Sequence, residues 1–95
     1  MATYLVVIGK TQTGYSAHCP DVLGCAAVGK TIEATLVKMK KALTFHLEGM
    51  AEDGEPIPKP AGAASYSKIM KNLDVDNYVL GRVQVDTSRF EVAVR

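Results

Sequence analysis

Ile32, Leu36, Met39, Leu43, Leu47 and Met50 follow one another at spacings of four, three, four, four and three residues. An α-helix of 3.6 residues per turn brings such positions onto one side, so the spacing predicts a single apolar stripe down about five turns. Both ends are marked. Thr31 is a good N-cap, and Glu33 opens a helix-forming run. Gly54 is a C-terminal stop, and Pro56, Pro58 and Pro60 forbid continuation. Lys40, Lys41, Thr44 and Glu48 fall on the opposite, solvent side. Ordering a helix backbone costs about 1–2 kcal/mol per residue, more than one stripe returns. The helix therefore needs an apolar sheet to lie on.

The preceding residues supply it. Residues 2–9 read ATYLVVIG, β-branched and aromatic up to Gly9. Lys10 to Gly14 form a polar turn, with Gly14 available for positive φ. Tyr15 to Cys19 alternate in the period of a half-buried strand, and Pro20 ends it. Pro20 to Gly24 make a short connector, and Cys25 to Gly29 a third strand. After the helix, residues 59–77 read as a linker or irregular excursion, with one helical turn around Tyr66–Leu73. Tyr78 to Val85 form a closing strand with Gly81 as a possible bulge, Asp86 to Ser88 a turn, and Phe90 to Val94 a short last strand. The expected organisation is a single domain: a core over 1–58, the excursion over 59–77, and closing and C-terminal strands over 78–95. The order β-β-β-α-β is that of an α+β two-layer sandwich, an antiparallel sheet packed on one long helix.

Composition narrows the function. With 95 residues the chain builds one compact domain, and its net charge of +1 excludes a strongly basic nucleic-acid binder recognised by charge alone. No Trp and only two Phe argue against aromatic stacking platforms for single strands. No run approaches the roughly 20 apolar residues that span a bilayer, and no secretion signal is evident. A cytoplasmic setting, with Cys19 and Cys25 as free thiols, is the expectation.

Three chemistries have candidate residues here, and each lacks a part. His18, Cys19, Asp21 and Cys25 lie close in sequence but lack paired zinc-ligand spacing, and neighbours on a strand point to opposite faces. A Cys25–His46 nucleophile lacks a third, orienting group. A metal-dependent nuclease needs converging carboxylates, yet the first strand carries no acid, while Asp21, Glu33, Glu48 and Glu52 suit turns, the helix dipole and solvation. Lys38, Lys40 and Lys41 read as a solvated helix face. No catalytic residue, cofactor or metal is expected.

The ordered series Pro20, Asp21, Gly24, Cys25, Gly29, Thr31 and Glu33, followed by a long helix closing on Glu48, Gly49, Glu52, Gly54, Glu55 and Pro56, resembles the HicB antitoxin family. The resemblance is dense over 3–58 and looser over 78–90. It implies a partial ribonuclease-H-like fold without the catalytic equipment. It also implies a partner: a HicA-type toxin that cleaves messenger RNA with a histidine and is silenced by being covered. Many members of the family add a C-terminal helix-turn-helix or ribbon-helix-helix unit. Here Phe90 to Arg95 could pass for the strand opening such a unit, but no complete DNA-binding domain is visible, and direct operator binding is not expected.

The surface expected to meet the toxin consists of exposed side chains on the second strand and its connector: Tyr15, His18, Asp21 and Val22. Residues 1–55 hold five basic and six acidic side chains, a balance of −1, so steering of a basic toxin would be weak. The alternative is an orphan, self-associating module without toxin or DNA-binding activity. An edge strand, or the Val92–Val94 segment, could pair across a two-fold axis to give a homo-oligomer.

Overall fold

A computed structural model describes residues 2–60, 67–69, 71 and 77–88. Its described elements, in chain order, are β1 (Ala2–Lys10), β2 (Tyr15–His18), β3 (Ala26–Gly29), α1 (Ile32–Glu52) and β4 (Tyr78–Val85). All strand pairings are antiparallel, and the sheet order is β3-β2-β1-β4. The expected β-β-β-α-β sandwich is the observed one. Of the excursion over 59–77, residues 67–69 and Lys71 are helical, inside the span expected for a helical turn. The expected strand over Phe90–Val94 lies outside the described residues.

β1 is the centre of the sheet, and Tyr4 through Ile8 are all buried. That explains a continuous apolar run where a one-sided strand would alternate. Tyr4, Val6 and Ile8 face α1 and join Met39, Leu43 and Leu47 in the main core, together with Val83 and Val85 from β4. The Tyr4 hydroxyl donates to the Pro58 carbonyl oxygen at 2.6 Å, which ties the proline segment after α1 across the end of the sheet.

Both helix ends behave as the sequence indicates. Thr31 Oγ1 accepts the Ala34 N–H at 3.0 Å, filling one of the unpaired donors of the first turn. At the other end, Gly54 adopts φ +74°. Its N–H donates to Ala51 O and that of Glu55 to Met50 O, the paired bonds of a Schellman ending. Along the stripe, Met39, Leu43 and Leu47 are fully buried, whereas Ile32, Leu36 and Met50 are half-buried at its margins. Thr35 and Ala51 complete the buried side. Thr35 is tolerated there because its hydroxyl donates to Thr31 O at 2.7 Å.

Gly14 and Gly81 differ from expectation in their reasons, and Gly29 has a steric one. Gly14 has no positive φ; a Cβ there would stand 2.3 Å from the Gly29 carbonyl oxygen, so close backbone approach requires glycine. Gly29 lies under the start of α1, where a Cβ would meet Thr35 Oγ1 at 2.6 Å and Thr35 N at 2.8 Å. Gly81 marks no bulge, because the β1–β4 register runs unbroken from Ala2↔Val85 to Gly9↔Tyr78. It leaves room for the methyls of Leu36 and Ile8.

Candidate functional site

The connector between β2 and β3 is built from two successive tight turns. The Val22 N–H donates to Cys19 O, and the Cys25 N–H to Val22 O. Gly24, at φ +83°, closes the second turn in a conformation that side chains rarely adopt. The turns direct Cys19, Val22 and Cys25 into the core and Leu23 out of it. Val22 is 1 % exposed and Leu23 85 %. The expectation that Val22 offers an exposed contact is therefore corrected. The apolar pair Val22–Leu23 divides between inside and outside, and the outward member is Leu23.

The other expected contacts do not form one patch. Strand alternation puts Tyr15 on the side facing α1, where it is half-buried and packs against the core. His18 lies on the opposite side of the sheet and is exposed. Asp21 is half-buried in the connector. It lines a cleft of about 330 Å³ with Val22, Leu23, His46, Met50, Glu55 and Pro58, between the connector and the end of α1. Leu23, His46 and Glu55 were not among the expected contacts. The exposed apolar side chain beside a φ-positive glycine is the signal that could have found Leu23.

The end of α1 near this cleft is acidic. Glu48, Glu52, Asp53 and Glu55 fall in the last turns or just beyond, and the last turn has no basic residue; of the four, Glu55 lines the cleft. Carboxylates at a helix C-terminus oppose the macrodipole, so this arrangement is not one that helix stability alone selects.

Neither thiol is poised for chemistry. Burial pushes the Cys19 thiol above its ordinary value, more than the Asp21 and Val22 N–H groups beside it pull it down. Burial, and then the neighbouring Cys19, likewise raise Cys25. A thiol kept protonated at neutral pH is a poor nucleophile. Among the described residues, no three His, Cys, Asp or Glu side chains gather as a metal-binding group. No described helix is long and apolar enough to cross a membrane.

The described residues thus build a small α+β domain, a four-stranded antiparallel sheet on one long helix, with a cleft beside the β2–β3 connector. Comparison with known proteins gives the family. The model of the HicB-like antitoxin of bacterial toxin–antitoxin systems matches residues 4–95, and the chain belongs to that family. The family is one of antitoxins, a regulatory role and not a catalytic one. An uncharacterized 14.9 kDa protein of Haemophilus phage HP1, from its rep-hol intergenic region, is 34 % identical over 83 residues, covering 87 % of this chain and 60 % of the phage protein. The crystal structure of antitoxin HicB3 superposes with a TM-score of 0.74 at 27 % identity, covering 88 % of this chain and 62 % of that one. A chain from the HicA3–HicB3 toxin–antitoxin complex gives a TM-score of 0.69 at 26 % identity, covering 88 % of this chain and 98 % of that one. The chain thus spans about three fifths of the phage relative and of the HicB3 antitoxin.

Proposed function

We propose that this chain binds a HicA-type toxin and blocks its cleavage of messenger RNA by steric occlusion. The observation that carries the reading is the family match over residues 4–95, joined to the likeness to a chain from a toxin–antitoxin complex. The architecture supports it. A sheet pinned to one helix by a fully buried core is a preformed surface, so little ordering entropy opposes docking. A stable complex would bury about 1,200–2,000 Å² in total.

The contact surface in this proposal is the connector with its surroundings: Asp21, Leu23 and His46, with His18 at its edge and Tyr15 peripheral. Leu23 is the apolar anchor. Asp21 and Glu55, the carboxylates that line the cleft, complement a partner that must be basic to hold RNA. The working compartment is the cytoplasm, where messenger RNA is cut.

The test is RNA cleavage by a purified HicA-type toxin, with the chain added in stoichiometric amounts. Cleavage stops in the proposed reading, and Leu23→Asp weakens inhibition by roughly tenfold or more. Undiminished cleavage at excess wild-type chain overturns it.

A further inference from the structure

The outward side of α1 is not an ordinary solvated face. Phe45 is 81 % exposed and Val37 58 %. With Lys40, Lys41 and Thr44 they line a groove of about 450 Å³. Val37, Lys41, Phe45, Glu48 and Glu52 recur every three or four residues, so they form one stripe opposite the buried one. Along it the charges are segregated. Lys41, with Lys38 beside it, lies before Phe45, and Glu48 and Glu52 lie after it. Within one helix, that order puts like charges together at i, i+3 (Lys38 and Lys41) and i, i+4 (Glu48 and Glu52), each pair unfavourable.

We infer that this stripe is an interface for a second copy of the chain, with the two α1 helices packed antiparallel about a two-fold axis near Phe45. The stripe is self-complementary in that arrangement and in no parallel one. The two Phe45 rings meet at the axis and cover each other. The lysines before Phe45 then face Glu48 and Glu52 of the second copy, and the reciprocal pairs form by symmetry. The 21-residue helix is about 31 Å long, enough for the ridges of both copies to interlock over several turns. The sheet lies on the other side of α1, so the edge strands β3 and β4 take no part in the pairing. This places self-association on the helix, where the sequence suggested an edge strand. The inference goes beyond the toxin reading and does not depend on it.

Sedimentation equilibrium of the full 95-residue chain tests it, with far-UV circular dichroism to verify that each variant is folded. The wild type is expected to dimerise, and Phe45→Glu to be a folded monomer. Lys41→Glu is expected to weaken association roughly tenfold, and Lys41→Glu with Glu48→Lys to restore it, since only self-pairing regains its charge match when both signs are exchanged. A wild type that stays monomeric up to about 0.5 mM overturns the inference, since a millimolar constant is too weak to matter in a cell. So does a Phe45→Glu variant that still dimerises, or a double variant no tighter than the single one. The toxin assay is read separately. A Phe45→Glu monomer that still protects RNA supports the inference. A wild-type monomer whose protection is lost on Phe45→Glu gives this face to the toxin and overturns it.

Discussion

The inward side of α1 carries Met39, Leu43 and Leu47, fully buried against β1 and β4, whereas the outward side carries Phe45 and Val37 in the open. Both sides hold large apolar residues at helical spacing. They differ in their surroundings. Each inward residue meets strand side chains chosen to fit it, and the polar member among them, Thr35, is satisfied by Thr31. On the outward side Phe45 stands between Lys38 and Lys41 before it and Glu48 and Glu52 after it. The inward side makes the domain fold, and the outward side is available for association. A substitution should therefore change stability on one side and assembly on the other.

The strongest challenge to this division is Leu43→Ala. It removes a fully buried side chain from the centre of the core and should cost about 2–5 kcal/mol in urea or thermal unfolding. A loss below 1 kcal/mol would mean that the helix is held by something other than its stripe. Gly29→Ala comes next, because the added Cβ collides with the Thr35 backbone as well as its hydroxyl; about 1–3 kcal/mol is expected in the same measurement. An unchanged midpoint would show that the strand-to-helix junction is looser than its geometry. Thr31→Ala takes away the N-cap and should lower stability by about 1 kcal/mol, most visibly as faster amide exchange in the first helical turn. The smallest effect belongs to the outward side: Phe45→Ala, studied in dilute protein, should shift unfolding by no more than about 0.5 kcal/mol. A larger loss would erase the contrast between the two faces.

Much of this was legible in the sequence. The helix limits were fixed by Thr31 and Gly54, since caps depend on local backbone chemistry that a single residue type reveals. The succession of strands along the chain followed from period and turn residues, whereas the pairing of β4 with β1 was not legible. Side-chain direction in the connector was not legible. Val22 and Leu23 are equally apolar neighbours, and two consecutive turns closed by Gly24 decide which one is buried. Thr35 and Ala51 were missed as core because one is polar and the other small, although both continue the stripe at i, i+4. The roles of Gly14, Gly29 and Gly81 concern atoms distant in sequence, and glycine signals only that something lies near. For the binding surface, residue types suggested the connector, but Leu23 and His46 come together only when the end of α1 folds back beside it.

The pairing of β4 with β1 has a consequence for biogenesis. Eight residue pairs join β1 to a strand made only after α1, so β1 keeps a bare hydrogen-bonding edge until Val85 has left the ribosome. At bacterial translation speeds the stretch from the end of α1 to that residue takes roughly 2–6 s. During this interval the nascent polypeptide offers a long sticky border to any neighbouring chain. Premature termination before Tyr78 would make that vulnerability permanent, yielding a product prone to aggregate and to be degraded.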